Sequence, residues 1–400
     1  MLFLLNSLFV IAGGVILLMT AILSIEIALA KKAHGQAEPA ETGQHPATVV
    51  LIPAHNEEGQ IGATLNHLKA RLGSADRILV VADNCSDKTA IAARASGTTV
   101  IERHDLEKRG KGYALQYGLD YLAEDPPDVV FVLDADCLVG PNTIRTLADK
   151  AAARNLPVQA LNLMEAGSGA GIGEKLSAFA FAVKNWARPK GLGRMGLPCP
   201  LTGTGMAFPY AMIRNAGIGT GHIVEDMKLG IDLALAGYPA RLEDSVKITS
   251  SFPTNSEGRA SQRRRWEHGH LSMIMSSVPR LIGESIRLGR PSLFAVALDL
   301  MIPPLSLLVI LLVTALVAAG ALAVFGGSPL PLGIVVAACL LAAFSLTRGW
   351  LLFGRDIITA RELLSIPAYV AGKLPLYFDF IRRRERQWVR TARDDENGGR

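Results

Sequence analysis

Charge is scarce in this chain. Asp, Glu, Lys and Arg make up 19% of its 400 residues, where roughly a quarter is usual for soluble domains. The net charge is only +5, from 41 basic and 36 acidic residues. So small an excess argues against a nucleic-acid surface and fits basic residues flanking membrane helices. Cysteine is scarce too. Cys85, Cys137, Cys199 and Cys339 form no CxxC pair and no metal-ligand spacing with His. That excludes a disulfide scaffold and a zinc site, and implies reduced thiols in a reducing compartment. No GxxxxGK[ST] segment is present, so there is no P-loop. There is no internal repeat. What the chain has in excess is apolar residues, 50% of the total, with a mean hydropathy of +0.28. A globular part joined to membrane segments explains that balance.

Leu2 to Ala30 is apolar except for Asn6, Ser7, Thr20, Ser24 and Glu26. It exceeds the roughly 20 residues a crossing needs. Ala28-Leu29-Ala30 resembles a signal cleavage site, but no cation precedes the run and the run is too long for a signal core. An uncleaved anchor at 1–30 is expected. Further apolar stretches lie at 291–325, interrupted by Pro303-Pro304, and at 330–354. Lys31 and Lys32, Arg287 and Arg290, and Arg355 and Arg361 flank these stretches. The positive-inside rule then puts the N-terminus outside and the rest of the flanks in the cytoplasm of a bacterial-type inner membrane. Residues 361–381 are interrupted by Pro367, Lys373 and Pro375 and read as an interfacial helix, with Tyr369, Tyr377 and Phe378 at headgroup level. Arg382, Arg383, Arg384, Arg386, Arg390 and Arg393 make 382–400 a basic cytoplasmic tail.

Between anchor and second stretch, 31–47 reads as a linker and 48–290 as a cytoplasmic domain. Short apolar runs at 48–53, 77–82, 98–102 and 129–133 alternate with helical spacing at 60–72, 89–95 and 112–122. Such alternation predicts an α/β fold with a mainly parallel sheet. Its ligands sit at the carboxyl ends of the strands. Acidic loops follow three of those strands: Ala54-His55-Asn56-Glu57-Glu58, Asp83-Asn84-Cys85-Ser86-Asp87 and Asp134-Ala135-Asp136. Asp87 is explained by a helix cap alone. Asp134 and Asp136, two apart on an extended strand end, point the same way and repel each other unless a cation intervenes. Oxygen ligands without His or Cys suit Mg2+ or Mn2+ completed by substrate phosphates.

Lys108-Arg109-Gly110-Lys111-Gly112 precedes a helix, where glycines and the helix N-terminus favour an anion. Leu201-Thr202-Gly203-Thr204-Gly205-Met206 reads as a flexible segment ahead of an apolar run, and Glu225-Asp226 opens a helix over 227–236. In Gln262-Arg263-Arg264-Arg265-Trp266 the arginines offer bidentate phosphate contacts and Trp266 offers a flat face for a sugar.

The order of these motifs resembles the membrane-bound family 2 glycosyltransferases, which include cellulose and poly-N-acetylglucosamine synthases and ceramide glucosyltransferase. The resemblance runs from about Val49 to Leu271. It implies a GT-A fold flanked by transmembrane helices and an inverting sugar transfer. By motif position Glu57 and Asp83 would contact the nucleoside and Lys111 the diphosphate. Asp134 and Asp136 would hold the metal and nucleotide sugar, and Asp226 would be the general base. Gln262, Arg263, Arg265 and Trp266 would line the diphosphate, with Gly203, Thr204, Glu225 and Trp266 toward the acceptor. The donor implied is a UDP-sugar, and the acceptor a lipid or lipid-linked glycan, for exopolysaccharide or glycolipid synthesis. His55 and Ala54 depart from the usual residues of the first motif, which leaves base preference open. Three crossings favour single transfer over a processive polysaccharide synthase, although a partner subunit or oligomer could complete a channel. A catalytically inactive nucleotide-sugar-binding assembly protein and a nucleotidyltransferase are the other readings.

Overall fold

The structure is a computed structural model that describes residues 2–31, 45–167, 169–253 and 255–382. Most of the linker 31–47 and the tail arginines Arg383, Arg384, Arg386, Arg390 and Arg393 lie outside the described residues. The chain divides into two compact units.

The first unit to consider takes residues 45–167 and 198–269 of the described chain. Its frame is one eight-stranded sheet: β1 (Thr48–Ala54), β2 (Arg77–Asp83), β3 (Thr99–Arg103), β4 (Val129–Val132), β5 (Leu138–Val139), β6 (Val158–Glu165), β7 (Met206–Pro209) and β8 (Arg241–Ser251). The order is β3-β2-β1-β4-β7-β6-β8-β5. Pairing is parallel from β3 through β4 and mixed beyond it. The expected strands are therefore present, and the sheet continues through strands whose sequences give weaker signals.

Alternation sorts the apolar residues onto two faces. Val50, Ile52, Val80 and Phe131 point to one layer with Ile61, Leu65 and Leu68 of helix Ile61–Lys69 and Ile144 and Leu147 of helix Thr143–Arg154. Val49, Leu51, Val81, Val130 and Val132 point to the other, with Leu115 and Leu119 of helix Lys111–Tyr121 and Leu229 and Leu233 of helix Glu225–Ala236. Strands buried on both faces read as unbroken apolar runs, as these do. Each fully buried side chain of this kind contributes about 1.5–3 kcal/mol. The carboxyl ends of β1, β2 and β4 all open at one rim, because these strands are parallel neighbours.

The second unit takes residues 2–31, 169–197 and 270–382. Three of its helices are long and apolar enough to cross a membrane: Leu2–Leu29, Leu305–Val324 and Leu330–Gly354. The expected crossing at 291–325 is in fact two pieces. Helix Pro291–Met301 ends before Pro303-Pro304, and only Leu305–Val324 has spanning length. The proline pair cannot continue the first helix and starts the second. The segment 169–197 joins these apolar helices, with Leu176, Phe179, Val183 and Ala187 packed in one cluster with Ile27, Ile302 and Phe353. Arg188 ties three elements there. Its Nε donates to Glu26 Oε2 at 2.7 Å, and its Nη2 donates to Asp299 Oδ1 at 2.7 Å. A charged group buried this deeply is tolerated because it is paired.

The expected single interfacial helix at 361–381 is three short helices, Ala360–Leu363, Ile366–Ala371 and Leu374–Arg382. Pro367 and Pro375 lie at the starts of the last two, where a missing N–H costs nothing. Tyr377 is buried, its hydroxyl 2.6 Å from Ser306 Oγ, rather than presented at a surface.

Candidate active site

The rim formed by β1, β2 and β4 gathers the predicted carboxylates. Asp134 follows β4 directly. Its backbone N–H donates to Thr204 Oγ1 at 3.0 Å, and its carboxylate takes the Lys111 ammonium at 2.5 Å. Lys111 opens helix Lys111–Tyr121, and its Nζ also donates to the Gly203 carbonyl at 2.7 Å and lies 3.9 Å from Glu225 Oε1. Gly203 has φ +87, and a Cβ there would stand 3.3 Å from Asp226 Oδ2 and 3.6 Å from Lys111 Nζ. One lysine thus connects the strand-end aspartates, the glycine loop and the Glu225-Asp226 pair. Asp136 completes the set: ligand atoms of Asp134, Asp136 and Cys137 lie within 4.8 Å of one another.

Helix Ser256–Leu288 supplies the second cation. Gly269 lies against the Val224 side chain, immediately before Glu225. Arg265 sits one helical turn earlier, hence on the same face. Its charge acts on both Asp134 and Glu225 and favours their ionised forms. Gln262, Arg263 and Trp266 occupy the same stretch and are half-buried, while Arg264 is exposed.

The electrostatics follow from these neighbours. Burial pushes the Asp134 carboxyl up; Lys111 opposes this and the Asp136 charge adds to it. Burial likewise raises Glu225 to about 7, against Lys111 and with Asp226. Burial alone would lower the Lys111 pKa, but Asp134, Glu225 and Asp226 outweigh it and hold the ammonium above its ordinary range. Asp134, Asp136, Glu225 and Asp226 thus gather near Lys111 and Arg265. A divalent cation fits such a carboxylate cluster, and the oxygen ligands of Asp134 and Asp136 suit a hard one.

A pH test isolates Glu225. A carboxyl whose folded pKa is raised from 4.5 to about 7 stabilises the fold below 4.5 and loses that contribution as pH rises through about 7. The metal-free protein is expected to lose thermal stability between about pH 5 and about pH 8, and Glu225→Gln to lose much less. Parallel melting curves for the two proteins check this.

Glu57 and Asp83 sit at the next strand ends. Glu57 is buried, its N–H donating to Thr89 Oγ1 at 2.7 Å. Asp83 closes β2 and is also buried; Arg103 at the end of β3 donates from Nη1 to its Oδ1 at 2.7 Å. Arg103 then reaches the Lys108 carbonyl at 2.7 Å and lies over the Tyr113 ring at 5.6 Å, which links Asp83 to the loop and helix carrying Lys111. Asp87 accepts from Thr89 N–H at 3.0 Å and Glu58 N–H at 3.1 Å, one residue before the N-cap Lys88 of helix Thr89–Ala95, so it ties that helix start to the loop after β1.

Three details differ from the sequence reading. Gly112 does not open space for an anion: a Cβ there would stand 2.5 Å from the Ile218 carbonyl and 2.6 Å from that of Thr220, so the glycine serves close packing. Thr204 is buried and spends its hydroxyl on Asp134, beneath the site rather than toward an acceptor. The loop at 202–205 is pinned. Gln159 of β6 donates to the Thr204 and Gly205 carbonyls at 2.9 and 3.2 Å and accepts the Thr202 N–H at 2.9 Å; Asn162 donates to the Thr202 carbonyl at 3.0 Å. Gln159, Asn162 and Arg103 are absent from the sequence-based set. A Gln and an Asn within the apolar stretch Val158-Gln159-Ala160-Leu161-Asn162 were the available signal.

A mixed sheet with an aspartate pair at the end of β4 and an acid pair across a glycine loop fits a GT-A-type fold. Comparison with solved structures agrees on the fold. The chain is similar to the mannosyltransferase PcManGT from Pyrobaculum calidifontis, solved with GDP-Man and Mn2+, at a TM-score of 0.56 and 18% identity, covering 96% of this chain and 100% of that one. The family described as "Glycosyltransferase like family 2" matches residues 45–269, and the chain belongs to it. The probable glycosyltransferase YdaM of Bacillus subtilis is 27% identical over 249 residues, 58% of this chain and 56% of that protein. The glucosyl-3-phosphoglycerate synthase of Mycobacterium tuberculosis is 31% identical over 116 residues, 28% of this chain and 34% of that protein. The chain thus spans between a third and a little over half of the length of these relatives.

Proposed function

We propose that the chain is an inverting, metal-dependent glycosyltransferase. Its donor is a nucleotide-diphosphate sugar, a UDP-sugar, and its acceptor is a hydroxyl of a lipid or lipid-linked glycan at the cytoplasmic membrane face. The product feeds exopolysaccharide or glycolipid synthesis. The observation that carries this is the Lys111 bridge: it holds the Asp134 carboxylate and the Gly203 loop beside Asp226, so a metal-binding pair and a base share one site.

Asp226 takes the proton of the acceptor hydroxyl. The acceptor oxygen bonds to the anomeric carbon from the face opposite the diphosphate, and the bond to the diphosphate oxygen breaks, leaving its electron pair there. One displacement inverts the carbon. Lys111 and Arg265 complement the charge that grows on the leaving diphosphate. Mg2+ or Mn2+ held by Asp136 and Asp134 would supply Lewis-acid stabilisation of that same charge. Glu57 and Asp83 lie toward the nucleoside; Gln262, Arg263 and Trp266 lie toward the diphosphate and acceptor. The apolar helices Leu2–Leu29, Leu305–Val324 and Leu330–Gly354 support a membrane-borne acceptor.

The test is release of nucleoside diphosphate from a panel of donors by the purified full chain, with Mn2+ and a lipid extract. A labelled product of single-sugar size that partitions with lipid is expected. A ladder of long chains would show a processive synthase, and no nucleoside diphosphate from any donor would sink the proposal.

A further inference from the structure

The Asp83 carboxylate is half committed, and the committed half bears on which base the site accepts. Oδ1 accepts from Arg103 Nη1 at 2.7 Å and from Asn84 Nδ2 at 3.1 Å. Two donors fill the two lone pairs of that oxygen. The arrangement is held from several sides. Asn84 adopts φ 51, a left-handed conformation, with its Oδ1 accepting the Asp105 N–H at 2.8 Å and its own N–H donating to the Arg103 carbonyl at 2.7 Å. His55 Nδ1 lies 2.6 Å from the Asp83 carbonyl. Arg103 is fixed by Asp105 at 3.0 Å, by the Lys108 carbonyl and by the Tyr113 ring. Asp83 Oδ2 accepts no hydrogen bond from the described residues, at the carboxyl end of β2 on the rim where the nucleotide is expected.

We infer that Arg103 sets the base preference of the donor site: by filling Asp83 Oδ1 it leaves one acceptor, which matches the single imide N–H of uracil and mismatches guanine. This rests on the nucleotide-sugar reading above. The pairing edges of the bases differ in pattern. Uracil presents one N–H at the centre of its edge, between two carbonyl acceptors. Guanine presents two adjacent donors, N1–H and the N2 amino group, which need both oxygens of a carboxylate. With Oδ1 full, the second guanine donor is desolvated without a partner. Cytosine and adenine carry an acceptor at the centre of that edge, which opposes Oδ2. Arg103 is a positioning residue here, acting through Asp83 rather than touching the base.

The experiment is calorimetric titration of the full chain in detergent with UDP, GDP and CDP in the presence of Mn2+. UDP is expected to bind at least about tenfold more tightly than GDP or CDP, a factor equal to about 1.4 kcal/mol. Arg103→Met keeps an unbranched apolar side chain on Tyr113 and frees a lone pair of Oδ1; the UDP:GDP preference is expected to shrink severalfold. Should that variant fail to fold, Asp83→Asn serves instead. Its amide oxygen keeps Arg103 and Asn84 while its NH2 faces the base, so UDP affinity is expected to drop about tenfold or more and GDP affinity to change little. A purely structural role would weaken both nucleotides alike. Equal binding of UDP and GDP by the unaltered protein, or an unchanged UDP:GDP ratio in the foldable variant, overturns the inference and leaves the transferase reading standing. Binding of no nucleotide by the unaltered protein brings down that reading and this inference together.

Discussion

Asp226→Asn is expected to lower the rate of sugar transfer by on the order of 10² to 10⁴-fold, the usual worth of a positioned general base. Nucleoside diphosphate binding and thermal stability should stay close to those of the unaltered protein. The reason lies in where Asp226 stands. It is in the first turn of helix Glu225–Ala236, where the helix dipole favours negative charge. Its Oδ2 faces Gly203, whose lack of a side chain leaves that oxygen room. Asparagine keeps the shape and loses only the ability to take a proton. Glu225 is adjacent in sequence but faces Lys111, and Glu225→Gln should cost much less in rate. Turnover by single-turnover assay, calorimetry with UDP and Mn2+, and melting curves separate the three quantities. Normal turnover by Asp226→Asn would refute the base assignment.

The sequence made part of this molecule legible, and the division has a physical cause. β1, β2 and β4 are parallel neighbours covered by helices on both faces, so each carries a buried apolar run that reads as a strand without context. The far half of the sheet gives no such signal. β5 is two residues long, and β8 is buried only at Glu243, Val246 and Ile248, without a regular alternation. The pairing of β6 with β8 shifts register between Ala160 and Leu161. Polar residues there serve loops: Gln159 and Asn162 look misplaced in a strand until the carbonyls of 202–205 are seen beside them.

The site divides in the same way. Asp134 and Asp136 stand out as a candidate pair because two carboxylates two residues apart at the end of one apolar strand repel each other unless a cation intervenes. Arg103 is unreadable because its partner, Asp83, comes from another strand. Only the parallel register that sets Asp83 opposite Arg103 brings them together. Pro303-Pro304 was visible as an interruption, but that it ends one helix and starts the next depends on backbone the prolines cannot hydrogen-bond.

Asp136→Ala is expected to abolish metal-dependent nucleotide binding and to cut transfer by on the order of 10³-fold, the several kcal/mol a bound metal contributes to charge stabilisation. Its effect on stability should run the other way. In the metal-free protein the Asp136 charge disfavours ionisation of Asp134, so removing it relieves repulsion. The variant's melting temperature without metal should equal or exceed that of the unaltered protein. With Mn2+ and UDP at about a hundredfold their dissociation constants, the unaltered protein gains about 2.7 kcal/mol, and the variant should gain almost nothing. Asp134→Ala offers the contrast. Asp134 is the closest carboxylate to the Lys111 ammonium, 2.5 Å away, whereas Glu225 lies at 3.9 Å. Its removal leaves the ammonium short of its main partner, so that variant should lose stability without metal as well as activity with it. Melting curves with and without Mn2+, and with chelator added back, test the pair. If Asp136→Ala melts lower without metal and still rises with Mn2+ and UDP, Asp136 is a structural residue and the cation is held elsewhere. If the two variants diverge as expected, Asp136 exists to bind the metal, and Asp134 also anchors the lysine that ties the aspartate pair to the glycine loop.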